Sequence, residues 1–156
     1  AGSDPKKRTG QISPNATHLI KVACETALGK RDKINIFGND YNTKDGTCIR
    51  DYIHVSDISE IHYKVLSKIE KLKTSIVLNC GYGKGISVND AVKEFKKYAN
   101  KNLKIVRFPK RKGDMVKVIS DNSKLKKFLK WKPKFNNLRK IVKSCISWEK
   151  KIKSNE

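Results

Sequence analysis

The sequence predicts an α/β fold with some parallel strand pairing, and three observations carry that reading. Stretches of helical period alternate with short apolar runs of strand length along the 156 residues. Turn-forming glycine, asparagine and proline residues fall mainly between these stretches. The strong strands are too few for a full doubly wound sheet, so the chain reads as part of a larger α/β architecture.

The elements follow in order. Asn15 is a candidate N-cap for a helix whose apolar residues Leu19, Ile20, Val22, Ala23, Ala27 and Leu28 recur at helical spacing until Gly29. Ile34 to Phe37 reads as a strand ended by Gly38, and Asn39 to Thr47 as a loop of turn formers. Ser56 is expected to cap a helix with an apolar face of Ile58, Ile61, Val65, Leu66 and Ile69, and Ile76 to Leu78 to form a buried strand. Ser87-Val88-Asn89-Asp90 is an acidic variant of the capping box, opening a helix to about Tyr98. A strand over Leu103–Phe108, a short helix from about Asn122 to Leu129 and a last helix over about 138–152 complete the chain.

Composition narrows the function. The net charge is +21, which attracts any polyanion, but only Arg8, Arg31, Arg50, Arg107, Arg111 and Arg139 among the 36 basic residues are arginines. Base readout and bidentate phosphate recognition favour arginine, so the lysines read as a solvated surface and a nucleic-acid-binding module is the weaker alternative. Cys24, Cys48, Cys80 and Cys145 are widely spaced with no C-x-x-C, which argues against a metal site and for free thiols in a reducing cytoplasm. There is no apolar run of membrane-spanning length and no signal-peptide pattern. Met115 is the only methionine and none opens the sequence, so it reads as a processed product, a truncation or a fragment.

The run Gly81-Tyr82-Gly83-Lys84-Gly85 sits between an apolar run and a helix, where phosphate-binding loops occur, but Ile86 stands where a dinucleotide fingerprint needs glycine. A structural turn with close backbone approach is the better reading. No lysine follows four residues after Tyr41, Tyr52, Tyr63, Tyr82 or Tyr98, and no nucleophile elbow accompanies His18, His54 or His62. What remains suits an anion. Arg50 and Arg111 lie in turn-rich regions beside Asp51 and Asp114, where two guanidinium forks could grip a pyrophosphate. A local Arg–Asp ion pair is the alternative for each. The backbone around Asn35 and Phe37 could pair with the edge of a nucleobase.

The run Ile36-Phe37-Gly38-Asn39-Asp40-Tyr41, continued by Asp45-Gly46-Thr47-Cys48-Ile49-Arg50-Asp51-Tyr52-Ile53-His54-Val55, resembles the substrate-domain signature of UDP-glucose 4-epimerases, extended short-chain dehydrogenase/reductases. Further motifs agree in order: Ala1 to Pro5, Thr17-His18-Leu19-Ile20, Asn79 to Gly85 with Ser87-Val88, Arg111-Lys112-Gly113-Asp114, and Leu129 to Pro133. The resemblance implies the C-terminal, substrate-binding portion of a Rossmann-type epimerase, with all of 1–156 in that portion and the NAD-binding half absent from it. It implies UDP-glucose and UDP-galactose as ligands, NAD held by the missing Rossmann half, a cytoplasmic location, and leaves a homodimer open. It places uracil at Asn35, Ile36 and Phe37, the diphosphate at Arg50 and Arg111 with His18 and Leu19 nearby, and the ribose at Asp114. Tyr52 and Val118 join the expected substrate site, Val118 beside the sugar.

The family reaction pairs a tyrosine base with hydride transfer to NAD and back to the other face of a 4-keto sugar. The motifs for those steps are not found in this sequence, so the piece alone is expected to be inactive. Two departures stand out. Lys21 replaces the usual proline after Leu-Ile, and Val118 stands where some members carry a tyrosine. A related sugar-nucleotide epimerase or dehydratase is the nearest rival.

Overall fold

The computed structural model describes residues 1–99 and 102–153. In order, its elements are α1 (Leu19–Ala27), β1 (Ile34–Phe37), β2 (Ile49–Arg50), α2 (Val55–Leu66), a 3-10 turn at Ile69–Lys71, β3 (Ile86–Ser87), α3 (Val88–Lys96), β4 (Ile105–Phe108), β5 (Lys117–Val118), α4 (Ser123–Leu129) and α5 (Leu138–Lys153). The class is α/β, with parallel pairing in both sheets. β1 runs parallel to β4 in the register Ile34 to Ile105 through Phe37 to Phe108. The second sheet has the order β3-β2-β5, with Arg50 between Ile86 on one side and Val118 on the other.

The core forms where α1, α3 and α5 pack on one another and on β1. Ala23 and Cys24 of α1, Ile34 and Ile36 of β1, Phe95 of α3 and Val142 of α5 are almost wholly removed from water. The last helix buries Ile141, Val142, Cys145 and Ile146, the stripe its helical spacing predicts. α1 ends in a Schellman motif: Gly29, at φ +76°, donates to Thr26 O at 3.1 Å and Lys30 to Glu25 O at 2.8 Å. α3 opens as the capping box predicts, Ser87 Oγ accepting from the Asp90 N–H at 3.0 Å.

Four expectations are corrected. α1 starts at Leu19 after an extended His18, and Asn15 instead takes a left-handed turn at φ +53°, a conformation its short amide tolerates. α2 starts at Val55, and its cap is His54, whose Nδ1 accepts from the Ser56 N–H at 3.1 Å. The expected apolar face of α2 is only partly covered: Ile61 is buried, Ile58 and Val65 are half-buried, Leu66 is 66% exposed, and Ile69 falls beyond the helix in the 3-10 turn at 52% exposed. Ile76–Leu78 is not a strand, and Val77 is 78% exposed. A strand needs a partner backbone to complete its ladder, and no described strand pairs with this segment. No described helix is long and apolar enough to cross a membrane.

Candidate functional site

A cavity of about 470 Å³, within the usual range for small-ligand sites, opens between α1, β1, β2 and the Arg111–Asp114 turn. Its lining includes Leu19, Asn35, Ile36, Phe37, Arg50, Tyr52, Arg111 and Asp114, drawn together from segments far apart in sequence. His18 and Val118 lie outside it. His18 lines an adjoining groove of about 910 Å³, shared with Leu19 and Tyr52, and Val118 sits on β5 next to Arg50.

Strand alternation explains the wall. Ile34 and Ile36 point into the core, which leaves Asn35 on the cavity side. Backbone groups alternate as well. The amides of Ile34 and Gly38 donate to Lys104 O and Phe108 O of the β4 side, both at 2.8 Å. In a parallel ladder the intervening Asn35 and Phe37 then turn their N–H and C=O groups to the opposite edge of β1, where no described strand lies.

The charged end is built around one carboxylate. Arg111 Nε donates to Asp114 Oδ2 at 2.8 Å, and Arg50 Nη2 stands 3.5 Å from Asp114 Oδ1. Arg50 Nη1 donates to the carbonyls of Ile49 and Met115 at 2.9 and 2.8 Å, which aims its fork. The Arg111 guanidinium lies 4.7 Å over the Phe37 ring, and Phe37 stacks on Phe108 with centroids 5.4 Å apart. Arg50 pairs with Asp114, not with its sequence neighbour Asp51. Burial pushes the Tyr52 phenol up to about 12, so it stays protonated as a donor at neutral pH.

Asp51 has a different task. Its carboxylate accepts from the amides of Tyr82 and Gly83 at 3.1 and 2.9 Å, filling the glycine-rich turn with an internal anion. A Cβ at Gly81 would stand 2.5 Å from Asp51 Oδ2, so the glycine permits this approach. The turn therefore does not fit the diphosphate of NAD. Asp45 is likewise spent internally, accepting from Thr47 Oγ1 at 2.7 Å and Ser87 Oγ at 2.6 Å. Burial would raise its pKa, but those hydrogen bonds outweigh it and hold the carboxyl below its usual range. The ornate loop thus binds its own chain before any ligand.

His54 is wholly buried, its Nε2 3.0 Å from Ser144 Oγ and its ring stacked on Phe135 at 4.4 Å. With Nδ1 accepting from Ser56, Nε2 carries the proton and donates to Ser144. Burial lowers its pKa to about 4, which keeps it neutral as a structural cap. Asp57 completes this region, accepting from Tyr82 OH at 2.5 Å and from the amides of Lys134 and Phe135 at 3.0 and 2.9 Å.

The cavity also contains residues not named as site candidates, of which Thr17, Cys48 and Val88 lie inside the quoted motifs and Val22, Arg31 and Lys33 do not. Arg31 had one available signal, being one of the few arginines. It pairs with Glu25 and donates to Ala16 O at 2.9 Å, tying the loop before α1 to the strand entry. Cys48 is a buried free thiol in the cavity floor. No cluster of three or more metal-binding side chains occurs among the described residues.

A family model described as GDP-mannose 4,6 dehydratase matches residues 7–144. The chain is 43% identical over 155 residues to UDP-glucose 4-epimerase of Azospirillum brasilense, covering 99% of this chain and 44% of that protein. It superposes on the UDP-Glc/GlcNAc 4-epimerase of Campylobacter jejuni with a TM-score of 0.77 and 49% identity, over 91% of this chain and 43% of that one. It also superposes on UDP-glucose 4-epimerase from Bifidobacterium longum, solved in complex with NAD+ and UDP, with a TM-score of 0.86 and 30% identity over 99% and 46% of the two chains. The chain spans less than half the length of these relatives, at 43–46%.

Proposed function

Because the chain belongs to the GDP-mannose 4,6 dehydratase family, we propose that it is the UDP-sugar-binding portion of an NAD-dependent UDP-glucose 4-epimerase that interconverts UDP-glucose and UDP-galactose. One observation carries the reading. The unpaired edge of β1 at Asn35 and Phe37 and the arginine pair Arg50 and Arg111 border the same cavity. A uracil edge needs one donor and one acceptor from backbone, and a diphosphate needs two charge-assisted forks. The cavity offers both. Asp114 lies where a carboxylate can accept from ribose hydroxyls, and Tyr52 adds a protonated phenol at the border with the neighbouring groove.

NAD supplies the hydride chemistry of the whole protein, and residues beyond this segment would hold it, since the glycine-rich turn is filled by Asp51. The catalytic tyrosine and lysine belong to the same expectation. His18 and Leu19 face the neighbouring groove, into which the sugar would extend.

The test is equilibrium binding of UDP and GDP to the intact protein, with UDP-glucose to UDP-galactose conversion followed by NMR. Micromolar UDP binding, weaker GDP binding and conversion are expected. Binding of GDP in preference to UDP, or no conversion with NAD present, would sink the reading.

A further inference from the structure

Asp114 occupies a position from which one carboxylate reaches both cavity arginines, 2.8 Å from Arg111 Nε and 3.5 Å from Arg50 Nη2. The two arginines differ in freedom. Arg50 is tied to two backbone carbonyls. The Arg111 side chain is 61% exposed and rests over Phe37. A diphosphate that takes both forks competes with the carboxylate for Arg111 Nε and Arg50 Nη2. The displaced carboxylate then needs other donors. Inorganic pyrophosphate has no donors except the P–OH groups on the very phosphates the arginines would hold. A nucleoside diphosphate brings the ribose hydroxyls.

We propose that Asp114 is a specificity-determining residue, a built-in counter-anion that holds Arg50 and Arg111 poised and yields them only to a ligand carrying both a diphosphate and hydroxyl donors. The inference rests on the nucleotide reading of the cavity and gives it a means of disfavouring bare phosphates, by leaving a polar group unpaired in the wrong complex.

The experiment compares UDP and inorganic pyrophosphate by calorimetry on the intact protein, for the wild type, Asp114→Asn and Asp40→Asn. Asp40 is the control for charge alone, because it pairs with Lys110 at 3.0 Å and bonds neither cavity arginine. Asp114→Asn is expected to bind pyrophosphate at least tenfold more tightly and UDP no more tightly, while Asp40→Asn changes either by less than threefold. Unchanged or weaker pyrophosphate binding in Asp114→Asn overturns the proposal. So does an equal gain in Asp40→Asn, or an equal gain for UDP, since either reduces Asp114 to a repelling charge. Absence of UDP binding in the wild type sinks the nucleotide reading instead, while the pyrophosphate comparison still decides whether Asp114 holds the arginines. Circular dichroism checks the fold, and Asp114→Ser replaces the asparagine variant if that one unfolds.

Discussion

Lys21 of α1 and Glu149 of α5 form an ion pair in the protein interior, with side chains only 6% and 1% exposed. Lys21 Nζ also lies 3.3 Å from Glu25 and donates to Gln11 O at 3.1 Å, while Lys30 reaches the other oxygen of Glu149 at 3.3 Å. The lysine that stands in place of a proline is thus the hub joining the first and last helices. Burial alone would lower its pKa, but the bonds from Glu149 and Glu25 outweigh it and hold the ammonium charged.

Lys21→Ala removes the shortest ion pair of buried Glu149 and leaves it the pair with Lys30 at 3.3 Å. We expect a loss of about 3 kcal/mol, the low end for breaking a buried pair. The double variant Lys21→Met/Glu149→Leu is expected to recover most of it, because both desolvated charges go together. Urea unfolding of the three proteins decides. Equal stability of Lys21→Ala and wild type would make the pair incidental.

Arg50→Ala and Arg111→Ala are each expected to weaken UDP binding by about 1.5–3 kcal/mol, the range for hydrogen bonds to charged groups. Arg50 sits between two strands and bonds Met115 O, so its loss also loosens the β2–β5 pairing. The Arg111 variant should therefore keep full thermal stability while the Arg50 variant loses some. Unchanged affinity in both would reassign them to structural ion pairs.

Val118 is 39% exposed on β5, in register with Arg50 of β2 and outside the cavity lining, and its side chain is smaller than the tyrosine it stands in for. We predict turnover of UDP-N-acetylgalactosamine by the intact protein alongside UDP-galactose, and loss of the N-acetylated activity in Val118→Tyr with the plain hexose retained. A wild type active on UDP-galactose alone counts against a role for Val118 beside the sugar.

His54 makes stability depend on pH. Its native pKa of about 4 lies below the ordinary 6.5, so the unfolded chain takes up the proton first. The contribution is complete above pH 6.5 and is lost as the pH falls towards 4. The loss is on the order of 2 kcal/mol after discounting solvent relaxation from 1.36 kcal/mol per pKa unit. Denaturant midpoints across that range should fall for the wild type and flatten for His54→Gln. A parallel slope in both would assign the pH dependence to other groups.

The order of elements was legible in the sequence because each rests on local chemistry. Gly29 closes α1 and Ser87 opens α3 through contacts a few residues long, and the stripe of α5 follows from its own spacing. The motif run from Ile36 to Val55 likewise marked the segments that border the cavity. Ile76–Leu78 misled because an apolar run carries no record of whether a neighbouring strand exists to complete it.

By itself, the sequence determined the α/β class, the helices and turns, and the motif-bearing segments that carry the polar groups. Only the tertiary structure decided which polar groups those motifs spend on their own chain. Asp51, Asp45 and His54 turn inward to amides and hydroxyls, while Arg50, Arg111 and Asp114 gather at a cavity. All lie in equally conspicuous runs. The difference arises because a side chain's hydrogen-bond partner is chosen by distance and desolvation, and partners such as Asp51 and Gly83, 32 residues apart, meet only once the core has closed.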